Sequence, residues 1–167
     1  MKKTKVAING FGRIGRAFLK VAWSRPELEV VAVNDLGDIK NMEYLLKYDT
    51  AYGASNLSVT TGASKKEVNQ LAFFVEGKEV LYLSEKNPSA LPWGQLGVDV
   101  VVESTGLFTS YEKAKVHLEA GAKRVVLSAP SKDEAGVTES ATVLMGVNED
   151  SLKTCPVTSN ASCTTNA

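Results

Sequence analysis

Histidine and cysteine are scarce in this chain: His117 is the one histidine, and Cys155 and Cys163 are the two cysteines, among 167 residues. A structural zinc site takes about four such ligands, so no metal site is expected. The C-x₇-C spacing of the two cysteines matches no redox motif, and Cys155, just ahead of Pro156, reads as a packing residue. Charge of one sign is missing too. Nineteen basic residues balance nineteen acidic ones, with no block of like charges, which argues against nucleic acid as a partner. No apolar run approaches the roughly 18 residues that a membrane helix requires. The opening "MKKTKVAINGFG" turns polar before it could form a secretory signal core of about 7–15 apolar residues. These absences together read as a cytoplasmic protein with reduced thiols and neither a membrane nor a nucleic-acid partner.

What is present alternates between strand and helix. "KVAIN" (5–9) is a short apolar run ending at glycine, the pattern of a buried strand. The stretch 13–23 places Ile14, Phe18, Val21 and Ala22 at helical spacing, with Pro26 marking the end. "EVVAVND" (29–35) reads as a second strand and 39–48 as a helix. Over 57–83 the pattern changes to short β-rich runs, "LSVTT", "LAFFV" and "EVLYL", with "VEGKEV" as a hairpin turn. This predicts an antiparallel excursion. Strands follow at 98–104 and 124–130 around one helix over 110–122, with Gly121 as its stop. "ATVLMGV" and "TCPVTS" add two further strand candidates, and 130–141 reads as an exposed loop. Val-rich strands alternating with helices predict an α/β fold with a doubly wound, mostly parallel sheet.

"NGFGRIG" supplies Gly10, Gly12 and Gly15, a full G-x-G-x-x-G between a predicted strand and a predicted helix. That context gives the motif its meaning. Gly10 permits the tight turn, Gly12 lets backbone approach a pyrophosphate, and Gly15 lets the helix pack on the strand. The helix N-terminus then offers unpaired N–H groups to phosphate. Asp35 stands at the end of the second strand, 20 positions after Gly15. A carboxylate there accepts from both ribose hydroxyls and repels a 2′-phosphate, so NAD is favoured over NADP.

Cys163 sits in "SNASCTTNA". Read from the residues alone, two accounts stay open. A thiolate at the start of a helix capped by Ser162 is a competent nucleophile, whereas a small packed cysteine is the commoner fate of a free thiol. His117 falls in the predicted helix 110–122, on or near its polar side, away from the strand ends where ligands bind. It reads as structural or solvated rather than as the partner of Cys163.

"INGFGRIGR", "ND" at 34–35, "LKYD…G" at 46–53, "LPW" at 91–93, "VDVVVESTGLF", "HLEAGAKRV", "SAP", "MGVN" and "SNASCTTN" occur in one order along the chain. With these motifs the chain resembles the phosphorylating glyceraldehyde-3-phosphate dehydrogenase family over essentially its whole length. The related erythrose-4-phosphate dehydrogenases carry a similar cysteine motif.

The resemblance implies a Rossmann-type NAD-binding domain over 1–158, with 159–167 opening a catalytic domain. It implies that Cys163 attacks the substrate aldehyde to form a thiohemiacetal, that hydride passes to NAD, and that inorganic phosphate cleaves the resulting thioester. Ser162 and Thr164 match substrate- or phosphate-contacting positions. Arg13 and Ile14 match backbone contacts to the pyrophosphate. Lys86, Thr105, Gly106 and Ser128 match further cofactor contacts, Lys86 standing where many members have Arg. Tyr52 replaces a common His, Ala167 replaces a second Cys, and the 132–141 loop is slightly long. The family's catalytic His and phosphate-binding Arg and Thr residues, and a C-terminal helix that covers the first domain, match nothing in 1–167. The expectation is therefore the NAD-binding half of a homotetrameric glycolytic enzyme, without turnover by itself. The alternatives are a stand-alone NAD module and half of a split enzyme.

Overall fold

The computed structural model describes residues 2–133 and 139–167. Its elements follow the alternation in the sequence. Strand β1 (Thr4–Asn9) leads into helix α1 (Arg13–Trp23), then β2 (Leu28–Asn34) and α2 (Ile39–Lys47). A small pair, β3 (Tyr48–Asp49) and β4 (Gly53–Ala54), precedes β5 (Val59–Ala63), β6 (Leu71–Val75) and β7 (Lys78–Leu83). A short helix α3 (Trp93–Leu96) precedes β8 (Val100–Glu103). Helices α4 (Tyr111–Ala114) and α5 (Val116–Glu119) lead to β9 (Arg124–Leu127). Two strands, β10 (Ser140–Thr142) and β11 (Val157–Ser159), and a final turn of helix, α6 (Cys163–Asn166), complete the series.

Among the described residues nine strands form one sheet in the order β10-β11-β9-β8-β1-β2-β7-β6-β5. The strands from β10 to β7 run parallel. The run β7-β2-β1-β8-β9-β11 has the order of a dinucleotide-binding Rossmann sheet, in which the chain reverses direction of travel between β1 and β8. The chain after β1 continues to α1 on one face and after β8 to α4 on the other, the arrangement that places a ligand crevice at the carboxyl ends. Central strands buried on both faces explain the uninterrupted "KVAIN" and "VVVE" runs. One apolar core lies on the side of Trp93, Tyr111 and Leu127, the other on the side of Phe11, Leu19 and Phe73.

The excursion at 57–83 is antiparallel, as expected, and its turn has Glu76 (φ 47°) and Gly77 (φ 74°) both left-handed. Such a two-residue turn matches the twist of a hairpin. Its last strand, however, joins the main sheet: β7 runs parallel to β2 through Ala32–Leu81 and Asn34–Leu83. The expected single helix over 110–122 is two short turns, α4 and α5, meeting at Lys115. The expected loop at 130–141 lies in part outside the described residues, and its last two positions belong to β10.

Candidate functional site

The glycine loop occupies the crevice between β1 and β8. Gly10 has φ +92°, and a Cβ there would fall 2.5 Å from the backbone nitrogen of Thr105. Only glycine lets the two loops touch. Gly12 has no atom within 4 Å of its Cβ position and opens α1 without a side-chain cap. Backbone N–H groups at the helix start are thus left for an incoming anion. Gly15 is buried, and a Cβ there would strike the Gly10 carbonyl oxygen and press on Ile8. Gly10 makes a left-handed turn and touches the β8 loop, and Gly15 packs closely on the glycine loop and β1, while Gly12 leaves open space at the helix start.

Asp35 is bound into the same structure. Its Oδ2 accepts from Phe11 N–H at 2.7 Å and its Oδ1 from Gly37 N–H at 2.8 Å. A carboxylate has about four acceptor positions, so two remain for ligand hydroxyls. The Phe11 carbonyl accepts from Arg16 Nη1 at 2.8 Å. Arg16 is buried beneath the loop; burial lowers its pKa, opposed by Asp49 and Asp35. On the far side of Asp35, the Tyr82 hydroxyl donates to the Gly37 carbonyl at 2.7 Å. Burial first, then Asp35 and Asp38, raise the pKa of that phenol and keep it a donor.

A cleft of about 500 Å³ lies here, lined by Gly10, Gly12, Asp35, Lys86 and Thr105, with Leu107 and Phe108 as an apolar wall. Five of the expected cofactor residues therefore share one cavity. A dinucleotide needs an open backbone approach, a helix start free of side chains and a carboxylate with spare acceptors, and the cleft has all three.

Other expected residues stand apart. Arg13 is exposed on the first turn of α1, and Gly106 (φ +75°) is exposed just beyond Thr105. Ile14 and Ser128 line a second groove of about 430 Å³ along the sheet, with Asn160 at its edge. Cys163 lines neither cavity. It is exposed, as a nucleophile must be, and it opens α6 just after the left-handed Ala161 (φ +60°). The Ser162 side chain accepts from Thr165 N–H at 3.0 Å and lies 2.8 Å from the Thr164 hydroxyl, so the two expected substrate residues are hydrogen-bonded to each other. Cys155 is half-buried, consistent with packing.

His117 is structural, one of the two readings expected of it, but it is wholly buried and not on or near a polar face. Its Nε2 lies 2.9 Å from Glu103 Oε2, and the Trp93 indole donates to its Nδ1 at 3.1 Å. It cannot reach solvent to serve an exposed thiol. The sequence reading also missed Asn9, Asn34, Glu103 and Trp93, which join His117 in a buried polar chain whose Asn9 and Asn34 line the cleft. The available signal was the polar residue closing each apolar run: Asn9 after "KVAI", Asn34 after "VVAV" and Glu103 after "VVV".

No helix among the described residues is long and apolar enough to cross a membrane, and no metal-binding group of His, Cys, Asp and Glu side chains occurs among them. Residues 4–111 match the family model of the glyceraldehyde 3-phosphate dehydrogenase NAD binding domain. Over 164 residues the chain is 49% identical to the glyceraldehyde-3-phosphate dehydrogenase of Geobacillus stearothermophilus, covering 97% of this chain and 45% of that protein. It is 50% identical to the enzyme of Clostridium pasteurianum, at 98% and 46% coverage. With the cytosolic enzyme of Leishmania mexicana it shares 48% over 162 residues, covering 97% of this chain and 45% of the relative. The chain spans about half the length of these relatives. It belongs to the glyceraldehyde 3-phosphate dehydrogenase NAD binding domain family.

Proposed function

We propose that this chain binds NAD in the cleft between β1 and β8 and forms the cofactor-binding part of a phosphorylating glyceraldehyde-3-phosphate dehydrogenase. The observation that carries this reading is the union of the glycine loop and Asp35 through the Phe11 N–H···Oδ2 bond. Phosphate-binding backbone and ribose-binding carboxylate are thereby held in one piece. Gly10, Gly12, Arg13, Ile14 and Gly15 serve the pyrophosphate, Asp35 the ribose, and Lys86, Thr105, Gly106 and Ser128 the remaining cofactor contacts. When bound, NAD supplies the hydride acceptor.

Cys163 is the nucleophile, exposed at a sharp turn, and Ser162 and Thr164 bind substrate or phosphate beside it. Glyceraldehyde 3-phosphate is favoured over erythrose 4-phosphate because the relatives named above are all glyceraldehyde-3-phosphate dehydrogenases. The first domain comprises 1–158, and 159–167 open the second. A homotetramer in the cytoplasm is the corresponding assembly and location. The one histidine of the chain is sealed in the core and cannot serve Cys163, so residues 1–167 are expected to bind cofactor without turnover.

Calorimetric titration with NAD and NADP tests the cofactor assignment. NAD should bind at least about tenfold more tightly than NADP, because Asp35 opposes a 2′-phosphate. Asp35→Ser should erase most of that preference. Equal binding of both cofactors by the unaltered protein would count against the reading.

A further inference from the structure

Glu103 ends β8 directly behind the cleft and is 3% exposed. Its Oε1 accepts from the Thr105 N–H at 2.8 Å and the Thr105 hydroxyl at 2.5 Å. Its Oε2 accepts from Asn9 Nδ2 at 2.6 Å and lies 2.9 Å from His117 Nε2. The directions of the Asn9 and His117 bonds are set from the two ends of the chain inward. An indole N–H can only donate, so the Trp93 bond leaves His117 Nδ1 without a proton and places the proton on Nε2. At the other end, the Glu85 backbone N–H donates to Asn34 Oδ1 at 2.8 Å. Asn34 Nδ2 must then donate, and it does so to Asn9 Oδ1 at 2.8 Å. That leaves Asn9 Nδ2 facing Glu103 as a donor. Four donated hydrogens converge on one group that only accepts.

We infer that Glu103 is a positioning residue of the cleft. It ties Thr105, on the β8 wall, to Asn9, which immediately precedes the glycine loop, and so sets the spacing across the point where the sheet reverses. The inference rests on the cofactor reading above. Neutral glutamine is nearly isosteric but cannot replace it. Whichever way the amide turns, its NH₂ meets either the Thr105 N–H or the Asn9 and His117 donors, and a donor–donor contact is left in a dry core.

The test uses the intact protein, with NAD titrations and thermal unfolding of the unaltered form, Glu103→Gln and Val75→Ala. Glu103→Gln should weaken NAD binding by about tenfold or more, the scale of one unsatisfied buried polar group. Val75 is wholly buried on β6, outside the chain of bonds. Val75→Ala should lower Tm through lost packing while leaving NAD affinity within about twofold. A purely structural Glu103 would move affinity no more than Val75→Ala does for the same loss of Tm, and that result overturns the inference, as does unchanged binding by Glu103→Gln. Nitrogen NMR of His117 in the unaltered protein needs no variant to fold: the Nε2–H tautomer is expected, and the Nδ1–H tautomer overturns the assignment. Failure of the unaltered protein to bind NAD would instead overturn the cofactor reading itself.

Discussion

Gly10 meets two demands at once, a left-handed backbone and direct contact with the β8 loop. Either alone disfavours a side chain, and here they coincide. Gly10→Ala should destabilise the protein by about 1–3 kcal/mol from backbone strain, with a further cost from separating the two loops. NAD binding should be lost even in the fraction that folds, because the displaced loop carries the N–H groups proposed to bind the pyrophosphate. Denaturant unfolding and a NAD titration of the variant check both parts. The glycines and Asp35 were readable in sequence because their chemistry depends on local spacing: a turn, a helix start and a strand end. Glu103 and His117 were not, since they lie 14 positions apart on different elements and become partners only when β8 and α5 pack. Helical periodicity put His117 near the polar side of one long helix. The break at Lys115 and the Trp93 indole remove it from that face.

At the scale of elements, α2 is anchored to the antiparallel strands by a carboxylate. Glu43 Oε1 accepts from Lys47 Nζ at 2.6 Å and Oε2 from the Thr61 hydroxyl of β5 at 2.5 Å. The Lys47 hydrogen bond, then the Thr61 one, lower its pKa from 4.5 to about 2. The folded state therefore holds this proton less readily than the unfolded chain. The stabilisation is fully present above the unfolded pKa near 4.5 and disappears as pH falls through about 2. Glu43→Gln should lower stability by about 1 kcal/mol at neutral pH, the scale of a lost charge-assisted hydrogen bond. The gap between variant and unaltered protein should close between pH 4.5 and pH 2, as thermal melts across that range would record. Helix α2 itself was legible from the sequence, with Asp38 capping Asn41 N–H at 2.9 Å. The partnership with β5 was not, because alternation marks a strand without saying which helix it will lie beneath. For the same reason the 57–83 segment was recognised as antiparallel while the parallel seat of β7 beside β2 went unread.

For the molecule as a whole, the two faces of the sheet are not equally covered. On one side Val6, Val100, Val102 and Val126 lie along a groove of about 430 Å³, edged by the exposed Ile14 and by Phe18. The sequence announced the parallel sheet through its Val-rich strands, but strands buried on both faces look alike whichever element covers them. An apolar groove that stays open to water retains an unfavourable hydration cost, which association relieves. The 167-residue chain should therefore bind an environment-sensitive apolar dye and show a weight-average mass that rises with concentration in sedimentation. Ile14 is 55% exposed at the groove edge, so Ile14→Glu adds charge there without opening the core. That variant should bind less dye and remain monomeric at concentrations where the unaltered chain associates. If both stay monomeric and dye-free, the groove is closed in solution by the chain's own residues, and Val6, Val102 and Val126 lie beneath a cover rather than along an open face.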